Sequence, residues 1–89
     1  MNDLDETIIA ELRQVAAVRG LTLPAVERRQ RLVDDLGLKS LDLAHLIAAL
    51  ERRLKADPFL RLVPITSVRT VGDLCDAYRR YFAEVGKES

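Results

Sequence analysis

Ser40, His45 and Cys75 each carry a group that can react, and their spacing decides what each can do. Ser40 stands where a loop containing Asp34, Asp35, Gly37 and Lys39 meets the apolar-periodic run "SLDLAHLIAALERRLK". Taken alone, a serine at that point is a helix cap. Its oxygen accepts an orphan backbone N–H two or three residues on, an interaction of about 1 kcal/mol. His45 follows about one helical turn later, which invites a Ser-His dyad. The dyad fails on geometry: His45 falls on the outward face, no third group orients it, and so short a chain scarcely affords a water-excluding cleft. Cys75 and His45 are the single cysteine and histidine, thirty residues apart, and do not make a metal ligand set.

The elements that must position Ser40 are helices. Eighty-nine residues allow one domain, read here as a single unit over 1–89. Hydrophobic residues make up 48% and aromatics 4%, so the core is built from Leu, Val, Ile and Ala, a composition that favours helices. Leu4, Ile8, Leu12, Val15 and Ala16 recur at helical spacing, predicting a helix over about 3–19 that stops at Gly20. A long connection over 20–39 follows, with Pro24 opening a short helical turn over "PAVERRQR" and Leu32, Val33 and Leu36 anchoring it on the core.

The second main helix spans about 40–55. At about 100° per residue, Leu46, Ile47, Leu50 and Leu54 fall within about 60° of Leu43 and define the buried stripe. Leu41, His45, Ala48 and Arg52 face outward. Asp57-Pro58 predicts a short helix over about 58–62, capped by the aspartate. "TVGD" predicts a capping box at the start of a last helix over about 70–84, with Asp73 in place of Glu or Gln and Val71, Leu74, Tyr78, Tyr81 and Phe82 on its apolar side. The expected fold is all-α: a small bundle of three main helices plus one or two short turns.

Charge and cysteine usage exclude several classes. Fourteen basic and fourteen acidic residues cancel, and the arginines are scattered. A nucleic-acid reader needs a net basic face. The lone Cys75 rules out an internal disulfide framework, suits a reducing cytoplasm, and reads as a core residue of the last helix. "MNDLDET" has no apolar signal core and no run approaches membrane length, so a cytoplasmic protein that does not bind membranes is expected.

With length, helix order and motif in place, "LGLKSLDLAHLIAALE" resembles the modification site of acyl carrier proteins. In that family a Gly-containing loop delivers a serine, usually within Asp-Ser-Leu, to the start of the second helix, and the serine carries 4′-phosphopantetheine. The resemblance implies that role for Ser40, with acyl or aminoacyl groups held as thioesters on the arm. It runs from the first helix to "ITSVRTVGDL" and so covers nearly the whole chain. Physics agrees, because the first turn of a helix, with unpaired N–H groups and a positive dipole end, favours a phosphodiester. The partners implied are a phosphopantetheinyl transferase, an acyl- or aminoacyl-loading ligase and downstream synthase or transferase enzymes, with the carrier itself a monomer and not an enzyme. Lys39, Leu41, Ala44, His45, Ala48 and Arg52 are the candidate partner contacts beside the arm.

Departures from the family pattern point to a subtype. Lys39 stands where Asp is usual, and the second helix sets Asp42 and Glu51 against Arg52, Arg53 and Lys55. That weakens the acidic signature and favours a dedicated, stand-alone carrier in a specialised acyl, polyketide or aminoacyl pathway over a housekeeping fatty-acid carrier. Gly37-Leu38-Lys39-Ser40 is nearer the acyl carrier wording than the Gly-Gly-x-Ser of peptidyl carriers. The alternative class is a small helical interaction or DNA-binding regulatory domain, in which "VERRQR" and "ERRLK" would meet phosphates.

Overall fold

The computed structural model describes residues 3–23, 25–61 and 67–88. Among the described residues four helices follow in order: α1 Asp3–Val18, α2 Ser40–Leu54, α3 Pro58–Arg61 and α4 Val71–Glu88. α1 packs against both α2 and α4, and α3 packs against α4. Ile8, Leu12, Leu46, Leu50, Leu74 and Tyr78 are among the side chains that close the core. The all-α bundle expected from sequence is the one observed, and among the described residues no helix is long and apolar enough to cross a membrane.

Helix ends follow local chemistry. α1 stops where Gly20 takes φ 77°, which lets the Leu21 amide donate to the Ala16 carbonyl and the Gly20 amide to that of Ala17. This is a Schellman closure, and it needs the left-handed backbone that glycine adopts without steric cost. At α4 the expected capping box is present: the Asp73 amide donates to Thr70 Oγ1 at 3.0 Å, and the Thr70 amide donates to Asp73 Oδ2 at 3.1 Å. The Phe59 amide donates to Asp57 Oδ1, so Asp57 caps α3 as read. α3 is seen over Pro58–Arg61, residue 62 lies outside the described residues, and α4 runs on to Glu88.

The connection departs from its sequence reading. Pro24 lies outside the described residues, and residues 25–31 form turns and extended backbone without the helical turn predicted over them. Their carbonyls have another use. The first two amides of α4, at Val71 and Gly72, donate to the carbonyls of Gln30 and Arg28, and the Leu32 amide donates to that of Arg69. Backbone groups that would be orphans at a helix start are thus satisfied by the connection. Gly72 permits the approach, since a Cβ there would lie 3.1 Å from the Arg28 carbonyl oxygen. Leu32 and Leu36 anchor the connection as expected, whereas Val33 is 52% exposed and the remaining anchors are Val26 and Leu38.

Buried charge, which apolar periodicity does not report, ties the elements together. Asp5 of α1 accepts a two-pronged hydrogen bond from Arg79 of α4 at 2.9 and 3.0 Å. Asp76 links Arg79 to Arg28 of the connection. Glu11 of α1 pairs with Arg53 of α2 at 2.8 Å. Cys75 is buried, as expected, and burial pushes its thiol up to about 12, so it stays protonated and unreactive at neutral pH.

Candidate functional site

Ser40 is the first residue of α2, and it is exposed. It is not the cap. Lys39 holds the capping position with extended backbone, φ −109° and ψ 171°, and its side chain has no atom that can accept a hydrogen bond. The capping is done from inside the helix by Asp42, whose Oδ2 accepts the Lys39 amide at 2.8 Å. The same oxygen accepts Arg19 Nη1 at 2.5 Å, and Arg19 also reaches the Gly37 carbonyl at 3.4 Å. The Ser40 hydroxyl has no hydrogen-bond partner among the described residues, so the fold does not consume it.

The loop before it is rigid for separate reasons. Gly37 takes φ 78°, a left-handed conformation, while Leu36 and Leu38 on either side are buried. The Asp35 carboxylate accepts the Arg31 amide at 2.7 Å, and the Gly37 amide donates to the Val33 carbonyl. Arg19, at the end of α1, closes this loop onto α2. The hydrogen bond from the Lys39 amide, with Arg19 beside it, holds the Asp42 carboxyl below the usual carboxylate range against the opposing effect of burial.

α2 presents three faces rather than the two read from its sequence. Leu46 and Leu50 are fully buried and Asp42, at 4% exposure, joins them. Leu43 and Ile47, assigned to the buried stripe, are only partly covered and line a groove of about 620 Å³ that runs from Ser40 past Ala44 towards Glu51, Asp57 and Phe59 of α3. Lys39, Leu41, Ala44, His45, Ala48 and Arg52 are all exposed, as expected, with Leu41 at 66%. The sequence reading sets Asp42 among the surface charges of that helix. Its burial removes it from the surface, so Glu51 is the acid that α2 exposes against Arg52 and Lys55.

Several arginines of the basic runs are engaged in ion pairs. Arg28 pairs with Asp76, Arg29 with Glu27, Arg31 with Asp34 and Arg53 with Glu11. No cluster of three or more His, Cys, Asp and Glu suited to a metal ion occurs among the described residues.

The site is thus an exposed hydroxyl at a helix start beside an open apolar groove, on a small helical bundle. No family model and no curated protein matches the chain. Among solved structures it is similar to MacpD, an acyl carrier protein from Pseudomonas fluorescens involved in mupirocin biosynthesis, at 46% identity and a TM-score of 0.72 over 83% of this chain. The match spans 66% of the MacpD chain, just short of two thirds of its length. The chain belongs to the acyl carrier protein family.

Asp42 generates a pH test. A carboxyl whose pKa is lowered by folding adds stability above its unfolded value of about 3.9 and loses that contribution as pH falls through the folded value. Asp42→Ala is therefore expected to lower the thermal midpoint at neutral pH, and the gap from the parent closes in acid. Circular dichroism melts across that range check it; a gap independent of pH would show that charge is not what Asp42 contributes.

Proposed function

We propose that Ser40 carries 4′-phosphopantetheine and that the chain presents acyl or aminoacyl intermediates to partner enzymes of a specialised biosynthetic pathway. The observation that supports this most is the exposed Ser40 hydroxyl at the start of α2, unpartnered among the described residues, in a member of a family whose motif it resembles. The residues present fit the group. Ser40 supplies the attachment oxygen, the first-turn amides of α2 and the helix dipole favour the phosphodiester, and the exposed Lys39 ammonium adds a neighbouring positive charge. The bound arm supplies a terminal thiol that holds the acyl group as a thioester. Everything else the chain does is positional. Asp42 and Arg19 fix the end of α2, and the groove along Leu43 and Ile47 offers apolar cover to cargo.

The surface of Leu41, Ala44, His45, Ala48 and Arg52 is the proposed contact for the transferase and for loading and processing enzymes. An exposed leucine and two alanines within a charged rim suit a transient contact with an apolar centre. Lys39, in place of the usual acid, and the loss of Asp42 from the surface make that contact less acidic than the family pattern. MacpD's involvement in mupirocin biosynthesis supports a specialised rather than housekeeping pathway for this chain too.

Incubation with coenzyme A and a broad-specificity phosphopantetheinyl transferase is expected to add the mass of one arm to the parent and none to Ser40→Ala, whose helix content stays unchanged. An adduct retained by the variant would remove Ser40 from the proposal, and no adduct on the parent would remove the carrier role. On the loaded protein, Leu41→Glu is expected to slow transfer to a partner enzyme about tenfold, as for a lost contact of about 1 to 2 kcal/mol. An unchanged rate would make Leu41 plain surface.

A further inference from the structure

The run "ERRLK" at the end of α2 divides once the helix is built. Arg53 reaches Glu11 of α1 at 2.8 Å, whereas Arg52 and Lys55 are exposed and have no ion-pair partner among the described residues. Lys39, at the other end of the helix, is exposed and unpaired in the same sense. Between these cations runs the outward stripe of α2. At about 100° per residue, His45, Ala48 and Arg52 fall within about 40° of Leu41. The neighbouring acids are engaged elsewhere: Asp42 is buried, Asp34 and Asp35 are both held by Arg31, and Glu51 lines the groove. At about 1.5 Å per residue Lys39 and Lys55 stand about 24 Å apart, within the span of one enzyme docking patch of about 800 Å².

We propose that the partner enzymes docking on this stripe present an acid-rimmed apolar socket: a recess for Leu41, with carboxylates placed to meet Lys39 on one side and Arg52 and Lys55 on the other. The proposal rests on the carrier reading above and adds the chemistry of the partner surface. The apolar centre holds the complex, and the cations decide which enzyme forms it. A matched pair at an exposed rim attracts weakly, but like charges brought together in a contact reject the wrong partner more strongly. An enzyme with a basic docking rim is thereby refused. A second copy of this chain is refused by the same charges, because an antiparallel two-fold pairing of the stripe sets the Lys39 end against the end that carries Arg52 and Lys55.

Two forms of one broad-specificity phosphopantetheinyl transferase serve as the probe, differing only in the side chains around the mouth of the active site, basic in one and acidic in the other. Each is normalised to its turnover of a short peptide substrate with no charge beside its serine. kcat/KM for arm transfer is then measured on the parent carrier and on Lys39→Glu/Arg52→Glu, with circular dichroism to confirm the fold. The parent is expected to favour the acid-rimmed form about three- to tenfold, the double variant to favour the basic-rimmed form, and both preferences to fade in about 1 M salt, where screening acts within about 3 Å. Should the acid-rimmed form not turn over the peptide, or the double variant fold poorly, amide resonances of the parent give the reading. Two helical peptides sharing one apolar face, flanked by glutamates in one and lysines in the other, are titrated in, and the glutamate peptide is expected to shift the amides of Leu41, His45 and Arg52 at lower concentration. Equal rates with both forms, a parent that prefers the basic rim, or equal shifts from both peptides would overturn the inference. A parent that neither form modifies, while the peptide substrate is turned over, would instead overturn the carrier role on which it rests.

Discussion

The Asp42 carboxylate is the joint on which the site depends. One oxygen receives the Lys39 amide and the Arg19 guanidinium, so the end of α1, the loop through Gly37 and the start of α2 meet at a single acceptor. A serine used as its own helix cap would have its hydroxyl turned back onto the backbone. Ser40 is not placed for that service: Lys39 holds the capping position, Asp42 takes the Lys39 amide, and the Ser40 hydroxyl has no hydrogen-bond partner among the described residues. The division of labour makes a structural position compatible with a chemical one.

The same residue changes the electrostatics of the presenting face. An aspartate that caps from within is spent inside the bundle, leaving α2 with Glu51 against Arg52 and Lys55 on its exposed side. Lys39 carries the trend into the loop. If this face is the partner contact proposed above, recognition rests more on apolar contact through Leu41 and on shape than on an acidic stripe, and salt screens less of it. The third face of α2 is separate again: Leu43 and Ile47 are only partly buried and line the groove with Asp57 and Phe59.

Helix placement was legible in the sequence because capping chemistry and apolar spacing agree at each end: Gly20 after α1, Asp57 before α3, Thr70 with Asp73 before α4. The position of Ser40 at the start of α2 was legible from the apolar-periodic run that follows it. Three things were not. The connection's carbonyls feed the first amides of α4, a long-range use that removes the local turn predicted over "PAVERRQR". Asp5 and Asp42 are buried by arginines distant in sequence, and periodicity counts an aspartate as surface. A stripe of five leucines and isoleucines on α2 was wider than the core needs, and only the placement of Phe59 shows that its edge lines a groove. That excess width was the available signal.

The central claim, that Asp42 holds the start of α2 at Lys39, is tested most directly by amide hydrogen exchange at Lys39. In the parent the Lys39 amide is expected to be protected well below the open-chain exchange rate, with protection lost in Asp42→Ala and weakened in Arg19→Ala, while core amides of α1 stay protected. A Lys39 amide that exchanges at the open-chain rate in the parent, or that stays protected without the Asp42 carboxylate, would contradict it.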